Sequence, residues 1–499
     1  MIWPLILILG VVSALWLRWR HTHKRMLEMA KKFPGPTPLP LLGNALHFMG
    51  PSEEMINVMK DLRNQYGDVI RFWLGPDLNI VVNDPDDIKI LLTSQKTSHK
   101  GPQYKYMADF LGLGILSGSG PLWRKHRKIA SPNYGRRAVE NYTDVFNSEV
   151  GYLLEKLNND PMGRSVNVYK DVVMCTTYVV CQTLMGLTRE QTLNLPHLEE
   201  VVVKSARLYD TVFQRMTKWY LQIDPVYWFT RHYKDEKYFK KIMNSCFSTL
   251  VNHRRDKIAP FRGKVDLDTD KDELSNTELS VIDRFCLSDE LDDYEMITET
   301  FTIFTSSQEA TAKMASFLLL MMAYHPKCQE KLYAEIKNVI GTEDIPVSDE
   351  HLKQMPYLDM VFKEILRLYP IGVMLQRTLK EDITISTGTL PAGCSLVVPI
   401  YHMHRDPRFW SDPEAFDPER FTRENTRLRQ PNCYIPFSLG PMDCLGRYFG
   451  TKLVKTLCVR VLGQFKLSSN ESYKDLKLCM AVSTRSLNGY HVVFNRRNE

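Results

Sequence analysis

Six stretches of this chain repeat apolar residues at three- and four-residue spacing: 137–160, 165–186, 236–255, 290–324, 326–340 and 352–369. That spacing gathers apolar side chains on one face of a helix, so most of the chain has to bury helix against helix. β-rich runs are few and short. Val69–Trp73 and Leu78–Val82 flank Gly75-Pro76-Asp77 and predict a hairpin. Ile383–Ile385 and Ser395–Val398 form a second expected pair, around Gly388 and Gly393. The pattern predicts a mainly α fold with small β-sheets, and no repeat or composition break divides it.

The first residues are of another kind. Ile2 to Leu17 is almost wholly apolar, and Arg18, Arg20, Lys24, Arg25, Lys31 and Lys32 follow. Such a run, roughly sixteen to eighteen residues, is the short edge of a membrane span. A cleaved signal peptide would carry its positive charge before the run. Here the charge follows, which keeps the rest of the chain on the cytosolic side. The expected organisation is an N-terminal membrane anchor over 1–19, a basic and proline-rich hinge over 20–40, and one large domain over 41–499. Pro34-Gly35-Pro36-Thr37-Pro38-Leu39-Pro40 predicts a stiff extended connector. In that topology the sequon Asn141-Tyr142-Thr143 never meets the glycosylation machinery. Residues 263–280 are acidic and polar and predict a surface loop. The ten cysteines are spaced singly, with no Cys-x-x-Cys, which excludes a zinc ribbon or disulfide framework and favours a reducing compartment. The net charge of +6 comes without a Lys/Arg run interleaved with aromatics, so no nucleic-acid partner is expected.

Cys444 has a special setting, Phe437-Ser438-Leu439-Gly440-Pro441-Met442-Asp443-Cys444-Leu445-Gly446. Loop glycines on both sides and an apolar stretch behind can present a thiolate to a haem iron, where it pushes electron density onto the metal. Upstream, Glu364 and Arg367 share a helix face. Alone they would read as an exposed ion pair worth little. Between them and Cys444 stands Phe416-Asp417-Pro418-Glu419-Arg420-Phe421. In this order and spacing the three segments resemble the core of the cytochrome P-450 superfamily. Several stretches are similar to its family 4, among them Trp123-Arg124-Lys125-His126-Arg127-Lys128, His404-Arg405-Asp406-Pro407 and Pro436-Phe437-Ser438-Leu439-Gly440-Pro441.

The resemblance implies a P-450 fold whose domain 41–499 is a haem-thiolate catalytic domain. It makes Cys444 the iron ligand, with Phe437, Gly440 and Gly446 shaping its loop. Glu364, Arg367 and Arg420 become a buried lock behind the haem. Trp123, Arg127 and Arg377 become partners of the haem propionates, and His126 a surface or propionate-edge residue. Segment 297–324 resembles the helix crossing the distal face, where Ser306-Ser307-Gln308-Glu309-Ala310-Thr311 stands. Glu309 keeps the family's acid, but Ala310 replaces its threonine. Thr311, about 100° around the helix, or an ordered water is the expected substitute, so Glu309 and Thr311 are the expected catalytic pair. Met442 stands where an Arg is usual, which shifts haem retention onto Trp123, Arg127 and Arg377. Ser306 stands where many family-4 members form a haem ester through Glu, so the resemblance implies non-covalent haem b (iron protoporphyrin IX).

The implied activity is monooxygenation of a lipophilic substrate such as a fatty acid, hormone or xenobiotic. Electrons from NADPH would arrive through NADPH–cytochrome P-450 reductase, with a b-type cytochrome as a further donor. The implied place is the cytosolic face of the endoplasmic reticulum membrane, in contact with its lipid. Arg124, Lys125, Lys128, Arg447, Lys452 and Lys455 are the expected docking charges. Tyr104–Leu116, Val212–Tyr220, Phe304–Ser307, Ile371–Leu375 and Ala481–Leu487 are the expected pocket lining. Two other readings remain open: a haem-thiolate isomerase or dehydratase of oxygenated lipids, which would tolerate Ala310, and a non-catalytic lipophile-binding relative.

Overall fold

A 32-residue helix, Asp293–Tyr324, runs through the protein interior. A capping box starts it: the Asp292 carboxylate accepts from the Glu295 amide at 2.7 Å, and Glu295 accepts from the Asp292 amide at 3.1 Å. The helices Tyr169–Thr183, Arg231–Ile258, Pro356–Leu368 and Arg447–Gln464 pack on it. Their apolar faces merge into one large core that includes Phe301, Phe317, Leu358 and Leu457. The computed structural model describes residues 2–262, 279–288, 291–341 and 345–497. The expected loop at 263–280 falls, through residue 278, outside the described residues.

The helical expectations hold with breaks that have local causes. Residues 137–160 divide at Tyr142 into Arg136–Asn141 and Thr143–Asn159. Residues 165–186 begin as a strand, Ser165–Asn167, because Val166 pairs with Val492 across His491–Arg496. Residues 352–369 start late, since Pro356 opens a new helix, Pro356–Leu368, after Asp349–Lys353.

The main sheet has five strands in the order Val69–Leu74, Asp77–Val82, Ser395–Val398, Leu375–Thr378 and His99–Lys100. The hairpin at its edge is as expected, turning at Gly75 with φ +58°. The second expected pair is corrected. Ile383–Ile385 pairs with Gly388–Leu390, whereas Ser395–Val398 lies parallel to Asp77–Val82 and antiparallel to Leu375–Thr378. All four residues of Ser395–Val398 are buried, which suits a central strand covered on both faces.

At the N-terminus, Ile2–Thr22 is helical. Among the described residues no helix is long and apolar enough to cross a membrane, so the spanning anchor is not borne out there. What this helix presents is exposed apolar side chains, among them Trp3, Leu7 and Leu17. The segment expected as a hinge is docked. Trp19 meets the edge of Trp73 with ring centroids 5.7 Å apart, and Ala30 and Phe33 are buried. The Arg71 amide donates to the Pro34 carbonyl at 2.8 Å. A Cβ on Gly35 would stand 2.0 Å from the Arg71 carbonyl oxygen, so only glycine lets the connector lie flat on the sheet edge.

Below the main sheet, Glu364 and Arg367 are fully buried and joined by two hydrogen bonds of 2.7 and 2.8 Å. Arg367 also donates to the carbonyls of His404, Pro413 and Ala415. Glu364 accepts from the Asp417 amide at 2.8 Å, and Arg420 stands 3.5 Å away. The expected lock is therefore assembled, and breaking it would cost roughly 3–5 kcal/mol, because a charge would be left alone in the core. His404, also fully buried, accepts from the Ile435 amide at 3.0 Å. Burial, with Arg367 and Arg405 nearby, pushes its pKa down to about 3. Burial likewise lowers His402 to about 4.

In an unfolded chain these histidines titrate near about 6.5. Their folded pKa values are depressed, so the stability they contribute is full above that value and is lost as pH falls through the window below it. The expected loss is up to ~1.4 kcal/mol per pH unit for each histidine. Urea unfolding between about pH 6.5 and about pH 4 should show a shallower loss for His404→Gln than for the wild type. Equal slopes would refute the assignment.

Candidate functional site around Cys444

From Ile435 the chain enters the Cys444 loop, so the buried lock also fixes where that loop begins. The loop closes on itself, the Cys444 amide donating to the Phe437 carbonyl at 2.8 Å. Gly440 has φ +75°, and a Cβ there would stand 2.3 Å from the Leu92 carbonyl oxygen, which accounts for the glycine. Gly446 caps the helix Arg447–Gln464, so Cys444 sits at a helix N-terminus. That position favours a negatively charged sulfur. Burial pushes the Cys444 thiol up, and Asp443 adds to this. The Gly446 amide, Arg127 and Arg447 pull it down. Among the ten cysteines Cys444 is the exposed one, Cys328 is half-buried, and the rest are buried.

Positive charge gathers beside this loop. Arg127 donates to the Asp443 carbonyl at 2.6 Å and to its carboxylate at 2.8 Å, and lies 5.9 Å from the Trp123 ring. Trp123 is buried. Arg377, also buried, donates to the Gln376 carbonyl at 3.0 Å. Lys100 pairs across the strands with Arg377. Burial, then Arg377 and Arg127, lower the Lys100 ammonium well below its usual range. Among the described residues no carboxylate bonds to Lys100 or Arg377. Desolvated cations without acids are costly, so this donor set fits the two carboxylates of a porphyrin. Lys100 was not found from the sequence. Its cross-strand partner lies far along the chain, and only the fold brings the two together.

The long helix is buried from Phe301 to Ala323 except at Ser306, Ser307 and Ala310, its one accessible face in that stretch. Glu309 is buried and paired with Lys313, which also donates to Ser483 Oγ at 2.5 Å. Thr311 is buried, and its hydroxyl donates back to the Ser307 carbonyl at 2.6 Å. A Cβ on Gly450 would be 3.7 Å from that oxygen, so Thr311 borders the helix Arg447–Gln464. Ser306 donates to the Ile303 carbonyl at 3.3 Å. Tyr134 reaches both sides of the site: its hydroxyl is 3.0 Å from Ser307 Oγ, and its ring is 3.9 Å from where a Cβ on Gly446 would stand.

Two expectations are corrected. His126 is buried, with Nδ1 3.1 Å from Glu299, and Glu299 also accepts from the Ile115 amide at 2.9 Å. The pair ties the helix Gly120–Ala130 to the long helix instead of standing at a surface. Lys452 and Lys455 are buried ion-pair partners of Asp349 and Asp359, at 2.5 and 2.7 Å, and are not free for docking. Residues of several expected lining segments belong to one core or pack on it. Phe110, Val212 and Phe304 share the main core, against which Ile371 and Val482 pack. The Thr484 amide donates to the Ile371 carbonyl at 3.1 Å.

Comparison with known proteins is consistent with this geometry. The sequence model of the family described as Cytochrome P450 matches residues 33–492. "Cytochrome P450 4V2" of Rattus norvegicus is 29% identical, over 99% of this chain and 97% of the relative. The human "Cytochrome P450 4V2" is 27% identical, over 100% and 98%. "Cytochrome P450 4c3" of Drosophila melanogaster is 27% identical, over 99% and 94%.

If Lys100 holds a propionate that Met442 cannot reach, Lys100→Gln should speed haem loss to a scavenging globin. A lost hydrogen bond to a charged group, about 1.5–3 kcal/mol, corresponds to roughly ten- to hundredfold. Adding Met442→Arg to that variant should recover most of the loss. Unchanged loss rates in Lys100→Gln would exclude the role.

Proposed function

This chain belongs to the cytochrome P450 family and is a monooxygenase of that kind, and from that premise we propose that Cys444 ligates a non-covalent haem b and that the substrate is a lipophilic small molecule. The observation that carries this reading is the exposed Cys444 thiol at a helix N-terminus, with Arg127 on its loop and, near Arg127, the cations Lys100 and Arg377, to which no carboxylate bonds among the described residues. When bound, thiolate-ligated haem supplies the electron push that favours O–O cleavage. The protein's own residues do the rest. Trp123, Arg127, Arg377 and Lys100 bind and orient the carboxylate edge. Phe437, Gly440 and Gly446 shape the thiolate loop. The small side chains of Ser306, Ser307 and Ala310 leave room on the accessible helix face, and Glu309, paired with Lys313, is the first proposed member of a proton route beside it. Thr311 is the second proposed member of that proton route.

The apolar character of Phe110, Phe304, Ile371 and Val482, from the segments expected to line the pocket, supports a lipophilic substrate. Electrons are proposed to come from NADPH through a flavoprotein reductase, with a b-type cytochrome as a further donor. A groove of about 920 Å³ beside the Cys444 loop supports docking there, with Arg136, Lys353, Lys363 and Arg447 on its walls. Membrane contact at the cytosolic face of the endoplasmic reticulum is supported by two exposed apolar sets. One lies on the helix Ile2–Thr22, and the other is Val226, Trp228 and Phe229.

The test is the optical spectrum of the reduced, carbon-monoxide-bound protein. Wild type should show the red-shifted Soret band of thiolate ligation, and Cys444→Ser should lose it. An imidazole-type band in the wild type would sink the proposal. Substrate-dependent NADPH consumption with added reductase is then expected. Turnover of lipid hydroperoxides without reductase would instead favour the isomerase reading.

A further inference from the structure

The hydroxyls of the long helix differ in where their protons go. Thr298, Thr300, Ser306 and Thr311 each donate back to a carbonyl of their own helix. Thr302 donates to the Leu111 carbonyl. Thr305 accepts from Tyr209 and is fully buried. Like Thr305, Ser307 makes no side-chain bond to a backbone carbonyl among the described residues, but unlike Thr305 it lies on the accessible face. Its one partner there is the Tyr134 hydroxyl at 3.0 Å.

Direction follows from chemistry. A buried tyrosine hydroxyl needs an acceptor, and among the described residues Ser307 Oγ is the one that Tyr134 has. Burial also raises the Tyr134 hydroxyl above its usual range, so it keeps its proton. Tyr134 therefore donates and Ser307 Oγ accepts. The proton of Ser307 must then point away from Tyr134. Among the described residues no bond joins the Ser307 hydroxyl to the Ile303 or Phe304 carbonyl one turn back, which leaves the accessible side for its proton. Ala310, where a hydroxyl would be expected, has none to offer.

We propose that Ser307, turned by Tyr134, donates the hydrogen bond that a small diatomic ligand of the iron receives from the protein. This rests on the haem-thiolate reading above. Ser307 is the group that touches the ligand, and Tyr134 is a positioning residue that acts through it. Tyr134 suits the task because its ring borders Gly446 in the cysteine loop while its hydroxyl reaches the long helix. One rigid side chain thus ties the donor to the segment that carries the thiolate.

The experiment is the infrared C–O stretch of the reduced carbon monoxide complex, with the peroxide share of NADPH consumption measured alongside. A hydrogen bond to the distal oxygen lowers the stretch. Ser307→Ala should shift the band to higher frequency and raise the peroxide share severalfold. Ser307→Thr, which keeps a hydroxyl, should restore both in large part. Tyr134→Phe should broaden the band towards higher frequency, because the serine is no longer turned. A Ser307→Ala band at the wild-type frequency, in a protein that still shows thiolate-type carbonyl absorption, overturns the inference alone. So does a shift produced by Thr311→Ala and not by Ser307→Ala. A wild-type protein without thiolate-type absorption overturns the parent reading and this one with it.

Discussion

The buried pair of Glu364 and Arg367 organises the region from which the site is built. Neither side chain touches water, and a charge removed from water is tolerable only when its hydrogen bonds are all supplied from within. Arg367 meets that demand by taking the carbonyls of His404, Pro413 and Ala415, and Glu364 by taking the Asp417 amide. Segment 404–417 is thereby fixed against the helix Pro356–Leu368. His404 then fixes Ile435, and Tyr434 donates to the Lys363 carbonyl on that same helix. The chain that leaves Ile435 for Cys444 starts from a position with no freedom left. The thiol is placed by the satisfaction of buried charge, well before any ligand is considered.

The same physics, left unsatisfied, marks the other half of the site. Lys100 and Arg377 face one another across a strand pair near Arg127, and burial lowers the pKa of both. In one place the protein closes every bond around a buried charge, and in the other it leaves cations short of acids. The contrast supports reading the second place as a receptor for a ligand's carboxylates. It also bears on Met442, the apolar residue where a basic one is usual in the family. On the proposed reading, Lys100 would supply from a distant strand the charge that Met442 lacks.

How much was legible in the sequence depended on how local each feature was. The hairpin at Val69–Val82, the long helix and the Glu364–Arg367 pair come from residues a few positions apart, and their spacing states their geometry. The pairing of Ser395–Val398 did not, since this buried central strand lies between Leu375–Thr378 and a segment hundreds of residues away, Asp77–Val82. The lysines of the helix Arg447–Gln464 looked like surface charge until the fold set Asp349 and Asp359 against them. His126 likewise found Glu299 on a distant helix. The apolar run at the N-terminus predicted a spanning helix, whereas its far end packs on the sheet through Trp19.

The sequence by itself determined the kind of chain this is and singled out Cys444 as the proposed iron ligand. Helical periodicity, the Glu-x-x-Arg pair and a cysteine set among glycines are local patterns, and local sterics and hydrogen bonding act on neighbours in the chain. Only the tertiary structure decided which hydroxyl lies on the accessible helix face, which cations have no acid bonded to them among the described residues and which lysines are already paired. Those are properties of space shared by distant segments. Desolvation and charge pairing depend on everything within a few ångströms, and sequence order does not record that distance.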